Sequence, residues 1–327
     1  MVQLGLVGLS AGAAAALLFV SATPGSWLSI ILFYLAPLPI MIAGLGWSHW
    51  AAAVAALLGA ITVGTVSGTT LLLTFLVGAG LPAWWLSYLA LLARPVTAGP
   101  GNIPAPANDS LEWYPAGRLV VWAAFLASLF VVVVLFLAFG TDAEGLRASL
   151  TRTMTAALSH FIEANADLRD VNAERLIAFF VATLPPTAAV AAVITNVVNL
   201  WLAGRTVKFS GLLKRPWPDM AAIEFPKMFM AALALAFVLS FGGGMLGIVA
   251  GVLTSAILFS YAILGLAVLH AITRGLAGRP FILGSIYVSM PLLQGVPILA
   301  LCILGIAEGP LNLRARAARK HGASPRT

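Results

Sequence analysis

A chain of 327 residues that is 61% hydrophobic and only 9% charged cannot clothe a soluble domain in the charged surface that water requires. Its net charge of +7 comes from basic residues in short loops and in the tail, beside apolar runs. That placement is how topology signals and contacts with anionic lipid are written, and it argues against nucleic acid as a partner.

Residues 1–93 contain no Asp, Glu, Lys or Arg, and Arg94 is the first charged side chain. Such a stretch must face lipid. Turn-forming residues divide it into four runs: 4–22, 27–45 with Pro37 and Pro39, 51–66, and 70–92 with a kink at Pro82. No basic residue precedes the first run, and Ser21-Ala22-Thr23 leads into the second, so the first run reads as a span rather than a cleaved signal. Ala11 and Ala15, like Gly12 and Ala16, form small-xxx-small pairs that let another helix approach closely.

Residues 93–117 carry five prolines with Gly, Asn and Asp between them and read as a loop. A fifth span follows at 119–139. Over 141–176 the apolar residues Leu146, Leu150, Met154, Leu158, Phe161, Ala164 and Leu168 recur every three or four positions. This predicts an amphipathic helix outside the membrane, lying on the bilayer or packing on its own protein. The sixth span, 177–204, is interrupted by Pro185-Pro186. A basic loop at 205–227 holds Arg205, Lys208, Lys214, Arg215 and Lys227. Residues 228–272 are too long for one crossing, and Gly242-Gly243-Gly244 marks a hairpin. The last run is 281–307.

The fold class is thus all-α: a polytopic transmembrane helical bundle of eight or nine spans. One membrane domain covers 1–307, and a basic, disordered tail covers 308–327. The positive-inside rule places the 205–227 loop in the cytoplasm and 141–176, with six acidic residues, on the opposite side. A single crossing at 281–307 would then strand the basic tail outside. Either that run is broken and re-entrant at Pro291 and Pro297, or an earlier span is miscounted.

Catalytic signatures are absent: there is no Walker A loop, no GxSxG and no HExxH, and the four histidines are widely spaced. The reading is of a non-enzyme without cofactor or metal. Cys302, the one cysteine, lies in an apolar run and has no disulfide partner within the chain. The informative polar residues are those inside spans. Asn196 and Asn199 share a helix face, and an amide in lipid must find a partner, either a neighbouring helix or a ligand. Tyr261, near mid-span, is a similar candidate. In the basic loop, Arg215-Pro216-Trp217-Pro218-Asp219 reads as an interfacial anchor or a partner site.

Several segments resemble the YybS-like family of bacterial integral membrane proteins. They are Ala36-Pro37-Leu38-Pro39 with Gly44, and Pro185-Pro186 with Asn196, Asn199 and Arg205. Leu264 to His270 and Leu304 to Glu308 with Arg314 also match. That family is in turn distantly similar to the S components of energy-coupling-factor vitamin transporters. The resemblance implies a multi-pass protein of the bacterial inner (plasma) membrane that binds a small solute. It also implies docking on a separate ATPase module through first-helix positions matching Ala11 and Ala15. Two functions stay open: a solute-binding transport component with Asn196, Asn199 and Tyr261 lining its cavity, and a non-transporting envelope scaffold that recruits partners or lipid.

Overall fold

The computed structural model describes residues 2–21, 26–95, 111–140, 142–164, 173–293 and 295–320. Helix α1 (Val2–Val20) is the first span. The second is made of α2 (Trp27–Tyr34) and α3 (Pro37–Gly46), broken where Pro37 and Pro39 lack backbone donors. Helix α4 (His49–Ser67) is the third. The fourth joins α5 (Thr69–Phe75) to α6 (Leu81–Ala90) through a π-helical turn at Leu76–Gly80, just ahead of Pro82. Small residues line the α1–α4 contact: a Cβ placed on Gly12 would stand 2.6 Å from the Ala55 carbonyl oxygen. This close approach gives the lipid-phase helices van der Waals contact that larger residues would prevent.

The segment expected to be a loop from 93 holds a short antiparallel hairpin, β1 (Ala93–Pro95) with β2 (Leu111–Trp113). Arg94 lies opposite Glu112 in the register and bonds it at 2.7 Å. Both side chains are exposed, so the pair adds little stability. Helix α7 (Ala116–Phe139) follows. The amphipathic segment forms α8 (Ala143–Ala164), started by Asp142, whose carboxylate accepts from the Glu144 and Gly145 backbones. Leu146 and Leu150 are buried in the cluster that holds Val131 and Leu135 of α7. Its first turns therefore pack on the bundle's own end rather than on lipid. The side chains from 159 to 172, including Phe161 and Leu168, lie outside the described residues.

Helix α9 (Ala173–Phe209) runs unbroken through Pro185 and Pro186, where an interruption was expected. Consecutive prolines delete two backbone hydrogen bonds, and in a membrane bundle neighbouring groups tolerate that loss. α9 also absorbs Arg205 and Lys208, shortening the basic loop. Beyond it, a 3-10 turn at Met220–Ala222 is capped by Asp219. Helix α10 (Lys227–Ser240) turns at Gly242–Gly244 into α11 (Gly244–Ile272), as the glycines predicted. With 14 residues, α10 reaches only about 21 Å, short of a bilayer's hydrocarbon core.

The final run is not one span. It divides into α12 (Arg279–Leu292) and α13 (Val296–Leu311), and the chain then bends into α14 (Leu313–Lys320). α11 and α13 both run toward the 219–223 stretch: Arg274, just past α11, bonds Asp219, and Arg314, just past α13, bonds the Ala221 and Ile223 carbonyls. The two helices are therefore parallel, and α12–α13 is a re-entrant hairpin that returns the chain to the side it left. Among the described residues, seven helices are long and apolar enough to cross a membrane, or eight if α13 and α14 count as one bent span. The polytopic bundle stands; of the nine runs read from the sequence, α10 is short for a crossing and the last is split into α12 and α13.

The hairpin removes the topological conflict over the tail. Arg274 bonds Asp219 at 2.9 Å, and Arg314 donates to the Ala221 and Ile223 carbonyls. Arg215 reaches the Ala90 carbonyl, and Gly117 lies against the Glu224 backbone. The 205–227 loop, the α11–α12 connection and α14 thus share one basic end. The tail expected to be disordered is helical over Leu313–Lys320, because Arg314 ties it to the loop. Residues 321–327 lie outside the described residues.

Candidate functional site

The basic end encloses a cavity of about 550 Å³. Its walls are apolar: Leu119 and Val120 from α7, Val197, Val198 and Trp201 from α9, and Ile263, Leu266 and Ala267 from α11. The polar groups gather where the helices meet the loops: Arg215 and Asp219 from the loop, His270 and Arg274 from the end of α11, Arg279 and Tyr287 from α12. Volume, apolar walls and a few convergent polar groups are the ordinary make-up of a small-molecule site.

Local sequence explains how each wall is placed. Trp217 lies over Gly204 of α9, at 3.3 Å from where a Cβ would stand. Arg205 and Lys208, one turn apart, sit 5.5 and 5.3 Å from its ring centre, and Arg205 also lies 5.7 Å from Trp201. These cation–π contacts brace the indole in the cavity wall. Arg215 is held by the carbonyl at the end of α6, and burial lowers its pKa from the usual guanidinium value. The Arg274 hydrogen bond holds the Asp219 carboxyl below its ordinary range. His270 Nδ1 lies 2.9 Å from the Leu266 carbonyl, which only accepts, so Nε2 is left facing the Tyr287 hydroxyl at 3.5 Å. No group of three or more His, Cys, Asp or Glu converges on a metal position among the described residues.

The three polar residues singled out inside spans, Asn196, Asn199 and Tyr261, are not among those lining this cavity. Asn196 donates to the Ala123 carbonyl of α7 at 3.3 Å. Asn199 donates to Thr195 at 2.7 Å and, across the bundle, to Tyr34 at 2.8 Å. Tyr34 ends α2 at the proline break, where the Leu38 N–H turns instead to Leu35. Asn199 therefore satisfies a carbonyl that the prolines released. Tyr261 stacks on Phe229 with ring centres 5.6 Å apart and meets Phe225 edge-on at 5.4 Å, inside the core around α11. Asn196 and Asn199 thus donate to backbone carbonyls and Tyr261 packs among aromatic rings, while Asn199 Oδ1 is buried without a hydrogen-bond partner among the described residues. Ala15 is fully buried and Ala11 packs on the same core, so the small face expected to dock a transport module is turned inward.

Asn199→Ala will lower stability by about 1–2 kcal/mol, since the Tyr34 carbonyl loses its donor where lipid offers none. Solute bound in the cavity will be retained. Melting temperature and solute content, measured on one preparation, check both halves; lost solute with unchanged melting would return Asn199 to the binding site.

His270, Arg274 and Arg279 are the site residues that sequence reasoning passed over. The available signal was charge: they crowd the two ends of a six-residue connection between apolar helices.

Residues 107–307 match the family model described as Predicted membrane protein (DUF2232). The chain belongs to that family. The matched region of this DUF2232 protein begins just ahead of β2 and ends in α13, so it contains every helix that lines the cavity except α3 and α6. No curated protein and no solved structure matches the chain.

Proposed function

We propose that this DUF2232 protein is a solute-binding component of the inner membrane and holds its solute in the cavity at the basic end. The single observation that carries the reading is that cavity: apolar walls within the bundle, closed toward the loops by Arg215, Asp219, His270, Arg274, Arg279 and Tyr287. The positive-inside rule orients this end toward the cytoplasm. The resemblance to vitamin-transporter S components supports a transport role. A separate ATPase module would have to use a surface other than Ala11 and Ala15, which α1 spends on its own core.

A second reading, an envelope scaffold, draws support from α14. Its Arg316 and Arg319 are exposed beside the basic loop and suit an anionic surface.

Ala267→Phe, which projects a ring into the cavity, separates the two. Purified in detergent, the variant will lose co-purified small molecule about tenfold relative to the parent by mass spectrometry, as expected for filling a pocket. Val198→Trp, at a half-exposed position on the cavity rim, guards against a folding defect and will act the same way. Folded variants that keep the parent's small-molecule content would overturn the binding reading and leave the scaffold.

A further inference from the structure

Resting on the cavity as the binding site, we infer that its ligand is a single-chain amphiphile with an anionic head, a phosphate or carboxylate, admitted sideways from the membrane. Three independent features converge on this class. The first is the state of the cations. Arg274 is committed to Asp219, and Arg215 to the end of α6. Arg279 Nε is shut away from solvent and has no hydrogen-bond partner among the described residues. An enclosed guanidinium N–H is costly to leave unpaired, and an anionic oxygen at the cavity is its natural complement. Tyr287 stands at the same rim, where its hydroxyl can turn from His270 Nε2 to donate to a further head-group oxygen.

The second feature is the length of apolar wall below that head position. Leu266, Ile263 and Ala267 of α11 face Val197, Val198 and Trp201 of α9, and none carries charge. A head-only ligand such as free phosphate has no use for this wall. The volume of about 550 Å³ accommodates one hydrocarbon chain, whereas the paired chains of a phospholipid would overfill it.

The third is access. Val198 and Trp201 line the cavity yet remain 45% exposed, and Tyr287 remains 48% exposed, so the cavity opens on the flank between α9 and α12. α12 buries none of its residues. Glycines in the left-handed region flank it, Gly275 at φ 84° and Gly295 at φ 89°, a conformation that suits sharp chain reversals. The flank that borders lipid is therefore the thinnest wall of the site, and an amphiphile already in the leaflet reaches it without crossing water.

The test titrates the full-length protein in detergent micelles with mono-oleoyl phosphatidic acid, oleate, neutral mono-oleoyl glycerol, dioleoyl phosphatidic acid and inorganic phosphate, reading thermal stabilisation and retention after washing. Mono-oleoyl phosphatidic acid and oleate will bind about tenfold or more tightly than mono-oleoyl glycerol, the value of one charge-assisted contact. Arg279→Gln will bring the anionic amphiphiles down to the affinity of the neutral chain measured on the same variant, and Ala267→Phe will weaken every single-chain ligand. If neutral and anionic chains bind equally and Ala267→Phe weakens both, the cavity stands as the site and the anionic class is overturned. Inorganic phosphate competing as well as the amphiphiles would overturn the chain, and dioleoyl phosphatidic acid binding as tightly as the mono-oleoyl form would overturn the single-chain limit. If none of the probes binds and Ala267→Phe changes nothing, the proposed site itself fails.

Discussion

Gly305→Val will unseat the last hairpin and lower the melting temperature of the detergent-purified protein by about 5–10 °C, the shift expected for roughly 3 kcal/mol in a domain of this size. A Cβ on Gly305 would fall on the Tyr261 carbonyl oxygen, and one on Gly265 on the Leu301 carbonyl oxygen. The same added Cβ on Gly305 would stand 2.9 Å from the Gly265 backbone nitrogen. These neighbours are backbone atoms of two long helices, so no side chain can swing aside and α13 itself must retreat. Its retreat would also break the contact between Cys302 and Leu258 and loosen the α11 wall of the cavity. Gly265→Val will behave alike. Gly309→Ala, on the same helix with nothing within 4 Å, is the matched control and will be nearly neutral. Equal melting for Gly305→Val and Gly309→Ala would mean that the tight α11–α13 approach does not hold the hairpin.

Arg314→Ala will cost about 3–5 kcal/mol and free the C-terminal helix to proteolysis, because it breaks an enclosed ion pair from one side. The guanidinium Nε lies 2.7 Å from Glu308 Oε1, with the two side chains 16% and 10% exposed. The same group donates to the Ala221 and Ile223 carbonyls, so its loss orphans a carboxylate and two acceptors at once. Glu224, 3.9 Å away and largely exposed, adds little. Replacing both partners, Glu308→Gln with Arg314→Ala, will be milder than the sum of the two single changes, since neither charge is then left alone. Melting curves for the four proteins, with protease mapping beyond residue 311, give the coupling directly. A loss below about 1 kcal/mol for Arg314→Ala would show that the bend at Asn312 persists without its ion pair.

Much of this molecule is legible in one dimension. The first 93 residues, without a charge, could only be membrane helices, and the boundaries read there fall close to those of α1, α4 and the α5–α6 pair. Gly242 to Gly244 marked the turn before α11, while the second run, read as one span, breaks at Pro37 into α2 and α3. These features follow from local chemistry: transfer of each side chain to lipid, missing proline donors, and glycine's tolerance of left-handed turns. The same local logic erred at Pro185-Pro186, where the bundle carries a helix through two prolines. It erred again in the tail, where one arginine orders a segment whose composition resembles a disordered one.

What a buried polar group bonds to is a different kind of question. Sequence alone established that Asn196 and Asn199 must have partners, because lipid supplies none. It could not choose between a ligand and a protein carbonyl: Asn199 meets Tyr34, 165 positions away, at a break whose position against α9 is a property of the packed bundle. The return of α12–α13 to the basic end, and the cavity roofed by Arg215, His270, Arg274 and Arg279, likewise join segments distant in the chain. Hydropathy sums over neighbours in sequence and so determined the membrane class and most span boundaries. Only the tertiary structure decided which carbonyl each amide meets, where the last hairpin turns back and which cations share a cavity, because those depend on which helix faces stand opposite one another.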